Sequence, residues 1–156
     1  MADVPFVRGR IVWLYIIPQL ILIFLLCWIF SLYTDDTFTF IYGLISYWLI
    51  IYSLRNLVAK DHRRGIALLR KNNFEQAISY FQKSVNYFER NPWIDKYRYL
   101  TLLSASRMTY REMGICNIAF SLSQSGRGAE AKETYNEVLK QYPGNGLATA
   151  ALKMMQ

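Results

Sequence analysis

The stretch IVWLYIIPQLILIFLLCWIFSLYTDDTFTFIYGLISYWLIIYSL, residues 11–54, decides how the rest of the chain is read. Ile11 to Tyr33 runs 23 residues without a charge; after Thr34-Asp35-Asp36, a second uncharged run covers the 18 residues from Thr37 to Leu54. A helix rises about 1.5 Å per residue, so about 20 apolar residues cross a hydrocarbon core about 30 Å thick. A core helix of a soluble protein carries one apolar stripe, whereas Leu14-Tyr15-Ile16-Ile17 and Ile21-Leu22-Ile23-Phe24-Leu25-Leu26 are apolar on every side. Residues 11–54 are therefore expected to form a two-helix transmembrane hairpin, with spans 11–33 and 37–54 behind a short lead, 1–10.

Charge gives the hairpin a direction. Arg8 and Arg10 precede the first span, Arg55, Lys60, Arg63 and Arg64 follow the second, and the connection holds only Asp35 and Asp36. Basic residues flanking the outer ends place both termini in the cytoplasm. A bacterial inner membrane is favoured over an organelle membrane. Residues 55–156 hold 16 basic and 8 acidic groups, a balance that suits anionic headgroups beside the bilayer. No nucleic-acid partner is expected, because no zinc-finger spacing, helix-turn-helix or RNA-binding aromatic pattern accompanies the charge.

Within the spans, Pro18 marks a kink or the first turns of helix one, and Gln19 is placed for a helix–helix hydrogen bond. Gly43 and Ser46 supply a small surface for close packing. Neither run contains an ionisable Asp, Glu, Lys, Arg or His, which argues against a proton or ion pathway. The N-terminus does not read as a cleaved signal peptide, since the apolar run is too long and no small-x-small site follows it.

Leu54 to Lys71 contains no Pro, so the second span is expected to continue, with at most a bend, into the first helix of a cytoplasmic domain, 55–156. Asn72-Asn73 ends that helix, and Asn73 with Gln76 three residues on reads as the cap of the next. Ala77, Ile78, Phe81, Val85 and Phe88 form an apolar stripe that stops at Asn91-Pro92. Trp93, Ile94, Tyr97 and Leu100 share a helical face and are expected to pack on the preceding helices. Ser104-Ala105-Ser106 is the weak point there, and Thr109 with Glu112 reads as a capping box that restarts a helix; one long helix from Trp93 to Ser125 is the alternative. Pro143-Gly144-Asn145-Gly146 is a turn, and Leu147 to Met155 forms a last helix. Its Leu147, Leu152, Met154 and Met155 offer either a cover for the helices before it or a contact for a second copy, a possible homo-oligomer.

Cys27 and Cys116 lie in a membrane run and a soluble helix, so neither a disulfide framework nor a metal set is expected. His62 reads as a surface or groove residue. No nucleophile elbow, metalloprotease motif, CxxC or phosphate loop is present, and the acidic residues are scattered at helix-surface spacing. The chain is expected not to be an enzyme and to use no cofactor.

Gly65, Leu68, Phe74, Ala77 and Phe81, and again Ala119, Leu122, Gly126, Ala131, Tyr135, Val138 and Pro143, resemble the packing pattern of the tetratricopeptide repeat. The resemblance spans about 61–92 and 112–145. Ala77 and Ala131 are 54 residues apart against a usual period of about 34, so about 20 residues are inserted between the copies. It implies an all-α chain: the hairpin, then a short α-solenoid of about two repeats, an inserted helix and a C-terminal capping helix. It also implies a concave groove lined by the first helix of each repeat, with His62, Ile66, Arg70, Asn117, Phe120 and Gln124 as candidates for contact with a peptide or helix. In carboxylate-clamping members Lys, Arg and Asn hold the partner; here Asn117 falls at such a position, while His62 and Ile66 replace the Lys and Asn. The groove expected is therefore mixed polar and apolar. Two functions follow. One is a membrane-anchored interaction module; the other is a structural subunit or assembly factor that contacts a membrane complex through its hairpin.

Overall fold

A computed structural model describes residues 12–34 and 38–155. Arg8, Arg10 and the Asp35-Asp36 connection lie outside the described residues. Among the described residues every regular element is helical.

A 3-10 turn, Trp13–Ile16, leads into α1, Ile17–Ser31. Pro18 sits in the first turn of α1, where its missing N–H would have had no helical partner, so no kink results. α2, Thr39–Leu57, returns antiparallel to α1. The two are zipped by small and polar groups. A Cβ on Gly43 would lie 2.5 Å from Cys27 Sγ and 3.1 Å from Cys27 Cα, so only glycine permits this approach. Further along, the Tyr47 hydroxyl donates to Gln19 Oε1 at 3.0 Å. Cys27 and Gly43 are the buried residues of the described hairpin, while Trp13, Leu20, Phe24, Trp28, Phe40 and Trp48 are exposed. An apolar surface this continuous marks contact with a partner or a membrane.

By length and composition one helix, Trp13–Ser31, can cross a membrane; Thr39–Leu57 qualifies only together with the helix that follows it. That next helix, α3, Lys60–Arg70, does not continue α2. The chain turns by 82° at Val58-Ala59, which corrects the expectation of a helix running on to Lys71. Packing explains the break. Ala59 is buried and Val58 half-buried against Phe88, Leu102, Tyr110 and Met113, and a straight helix would carry both away from this cluster.

α3 and α4, Phe74–Arg90, form the first helical pair; α7, Tyr110–Gln124, and α8, Gly128–Gln141, form the second. They stack in the order α3, α4, α7, α8, and α9, Gly146–Met154, closes the stack against α8. The two pairs repeat at a 54-residue offset. The left-handed residues Asn72 (φ 57) and Gly126 (φ 80) occupy the same turn, as do the buried Ala77 and Ala131. Gly65 meets the ring of Phe81 so closely that a Cβ would stand 2.7 Å from its carbons. The first core gathers Leu69, Ala77, Phe81, Val85, Ile115, Cys116, Ala119, Leu122, Tyr135 and Val138. Caps fix the helix starts. Asn73 Oδ1 accepts from Gln76 N at 3.4 Å, and Thr109 and Glu112 close a full capping box. Asn145 accepts from Ala148 N at 2.8 Å and donates to Glu112 Oε1 at 2.9 Å, tying α9 to α7. Of the last helix's apolar residues, Leu147, Leu152 and Met155 lie half-buried on the core and Met154 stays exposed.

The inserted residues are neither one long helix nor packed on the first repeat through their aromatic face. They form two short helices, α5, Pro92–Lys96, and α6, Arg98–Thr101, then a loop to Thr109. Trp93 (59% exposed), Tyr97 (42%) and Leu100 (54%) face outward, which corrects the expected packing. What packs instead is Ile94, with Leu102. The insert lies where α2 enters and where α4 ends, and it binds the hairpin. Val12 N donates to Ala105 O at 2.9 Å, and Arg55 Nη2 donates to Leu103 O at 2.9 Å. The Tyr15 and Tyr99 rings stack at 4.8 Å. Leu103, at φ 47, adopts the left-handed conformation that a side chain resists. Hairpin, insert and repeats thus meet in one joint.

Candidate partner-binding face

The first helices of the two repeats, α3 and α7, carry all six candidate groove residues, and their environments differ. Arg70 and Gln124 are exposed, and Ile66 and Phe120 are half-buried at the edge of the main core. His62 (7% exposed) and Asn117 (3%) are buried. A surface or groove position for His62 is therefore corrected: its ring meets Phe81 edge-on at 5.6 Å and Tyr110 at 5.3 Å. This aromatic cage leaves Nδ1 without a hydrogen-bond partner. Burial pushes its pKa down from 6.5 to about 4, so the imidazole is neutral at pH 7. The resemblance implies a groove position for His62, and nothing in the local sequence of α3 signals that Tyr110, 48 positions on, covers it.

Of the six candidates, Ile66, Arg70, Phe120 and Gln124 thus keep exposed surface. They supply two apolar side chains, one cation and one amide, with no nucleophile–base pair among them. Cys116, on α7, is fully buried, and burial pushes its thiol up to about 12 although Asn145 donates to it. It is an inert packing residue.

A second concavity, about 480 Å³, opens between the insert and the ends of the repeats. Its walls are Phe88, Glu89, Pro92, Asp95, Lys96, Arg98, Thr109, Arg111 and Tyr142. The charges here are largely turned inward. Arg111 pairs with Glu89 at 3.1 Å and donates to the Tyr142 hydroxyl at 3.1 Å. Buried Arg98 donates to the carbonyls of Asp95, Ser106 and Arg107 at 3.1, 3.0 and 2.6 Å. The Asp95 carboxylate accepts from Tyr110 N at 2.7 Å and Arg111 N at 2.9 Å, the first free amides of α7. Burial raises the Asp95 pKa, and those amides oppose the rise. Sequence reading assigned Thr109 as the cap of α7 but missed Asp95, which approaches from another element. Asp95→Ala is expected to lower stability by about 2 kcal/mol, read as a shift of the urea midpoint at constant slope.

Of the basic residues expected at the membrane surface, Lys60, Arg63 and Arg64 are exposed, with the Arg64 guanidinium 5.9 Å from the Tyr80 ring centroid. Arg55 is committed to the Leu103 carbonyl and is half-buried.

Two tetratricopeptide repeat family models match this chain, one over residues 62–91 and the other over 117–145. The first covers α3 and α4 and the second covers most of α7 with α8, leaving the insert unmatched between them. No curated protein and no solved structure matches the chain. Repeats of this kind are typically non-enzymatic scaffolds for binding other proteins. The chain carries a tetratricopeptide repeat domain, a helical protein–protein interaction module.

Proposed function

We propose that the chain is a membrane-anchored interaction module: the hairpin holds the repeat domain at the cytoplasmic membrane face, and the α3–α7 strip binds a peptide or helix of another protein. The observation that carries this reading is the hairpin's exposed apolar surface, joined to the repeat domain by the Arg55–Leu103 hydrogen bond. Two spans with both termini cytoplasmic follow from the basic residues outside the hairpin and the acidic connection within it. The specificity determinants are Ile66, Arg70, Phe120 and Gln124; His62 and Asn117 act from behind, shaping the floor of the strip.

Crosslinking in native membranes followed by mass spectrometry, on three forms of the full chain, tests it. Arg70→Glu with Phe120→Ala is expected to cut partner recovery by about tenfold or more, the cost of losing one binding hot spot. A chain whose hairpin is exchanged for unrelated spans should keep its partner. The opposite pattern, loss with the exchanged hairpin and retention with the double variant, replaces this reading with that of an assembly factor working through its spans. Single cysteines introduced beside Lys60 and in the 35–36 connection, in a background without Cys27 and Cys116, read the orientation. Labelling of the connection from the cytoplasmic side contradicts it.

A further inference from the structure

We propose that the insert between the repeats is a second membrane contact, a foot whose Trp93, Tyr97 and Leu100 enter the headgroup–acyl boundary of the leaflet from which the hairpin emerges. The proposal rests on the membrane-anchored reading and adds a surface to it.

Position is the first argument. The insert is bonded to the very start of the first helix, through Val12 N to Ala105 O and through the stack of Tyr15 on Tyr99. The end of a spanning helix lies at the interface between hydrocarbon and water, so residues fastened beside it lie at the same depth. Continuity is the second. Tyr97 meets Tyr99 edge-on at 6.3 Å, and Tyr99 stacks on Tyr15, so an aromatic row runs from the outward face of the insert onto the hairpin. Trp93 stands one helical turn before Tyr97, with Leu100 just beyond it. Tryptophan and tyrosine are the side chains that settle at this boundary, because one end of each is apolar and the other is wet.

Charge is the third. Between Pro92 and Arg111 the sole acidic residue is Asp95, and its carboxylate is buried against the amides of α7. The outward charges are cations: Lys96 stands 5.5 Å from the Tyr97 ring centroid, and Arg107 is exposed. Arg98, 5.6 Å from the Tyr15 ring centroid, holds the loop carbonyls and keeps the row in place. An apolar, aromatic face bordered by Lys96 and Arg107, with the nearby Glu89 carboxylate paired to Arg111, fits an anionic lipid surface. It also explains why these three side chains are turned outward when the repeats beside them have cores to fill.

Tryptophan fluorescence of the full chain, reconstituted in vesicles of phosphatidylcholine and phosphatidylglycerol, tests the proposal. One variant keeps only Trp93, through Trp13→Phe, Trp28→Phe and Trp48→Phe; a second keeps only Trp28. With bromines on the lipid chains near the carbonyls, Trp93 is expected to lose fluorescence, and more than with bromines near the chain ends. Its emission should shift to the blue relative to detergent-free urea. Lys96→Glu with Arg107→Glu should weaken that quenching when phosphatidylglycerol is present. Quenched Trp28 with unaffected Trp93 overturns the foot and leaves the anchor standing. Unquenched Trp28 overturns both. Far-UV circular dichroism confirms that each variant keeps its helix content.

Discussion

Phe81→Ala is expected to remove about 4 kcal/mol of stability, most of what a small domain has to spare. The ring is fully buried and fills the gap that Gly65 leaves open on α3, where no side chain is available to follow it inward. It also supports His62 edge-on. Truncation therefore leaves a cavity with a glycine on one side and an imidazole on the other, and neither wall can collapse into it. Urea unfolding of the full chain in detergent, followed by circular dichroism, should show the midpoint fall sharply. Phe120→Ala, a half-buried residue at the strip's edge, should cost markedly less. Equal losses at the two sites would mean that the first repeat is not held as described.

The second large effect is a dependence on acid carried by His62. Its folded pKa, about 4, lies below the unfolded value of 6.5. Between those values the unfolded chain takes up the proton and the folded chain does not, so stability is full above pH 6.5 and declines as pH falls towards 4. The difference of about two and a half pH units corresponds to about 3 kcal/mol once both limits are passed. Asp95 acts in the opposite sense, because burial raises its folded pKa and acid relieves that cost. The informative quantity is thus the difference from His62→Phe. That variant keeps an aromatic ring between Phe81 and Tyr110 and removes both the titration and the unpartnered Nδ1. Its urea midpoint should be the higher of the two below pH 6 and flatter across the window. Parallel curves would show that His62 is already solvated in the folded state.

Much of the architecture was legible in local sequence because its determinants are local. Asn73, Thr109 and Glu112 act on amides within three residues, and small residues such as Gly65 and Ala77 declare close helix approach by their size. The 54-residue spacing of Ala77 and Ala131 gave the register of the repeats and the length of the insertion. What sequence reading missed depends on elements that meet from far apart. Continuous helix-forming residues from Leu54 to Lys71 gave no hint of the 82° turn, because Phe88, Leu102 and Tyr110 impose it. The periodicity of Trp93, Tyr97 and Leu100 identified a face but not its direction. His62 and Asn117 are buried, and the Tyr110 ring that covers His62 comes from 48 positions on. Of the candidate residues, Ile66, Arg70, Phe120 and Gln124 keep exposed surface.

The bond between Val12 and Ala105 joins residues 93 positions apart, and the Arg55 bond to Leu103 joins residues 48 apart. Neither can close until the insert has been synthesised, whereas the hairpin and the first helical pair are complete well before it. The joint is therefore a late event in biogenesis, formed between parts that already have their shape. Until then the Val12 amide and the Arg55 guanidinium lack these acceptors. A chain arrested before Leu103 would carry its apolar hairpin and its first helical pair without either of these bonds between them. Completion of the insert is the step that adds these two bonds to the packing of Val58 and Ala59 beside Phe88.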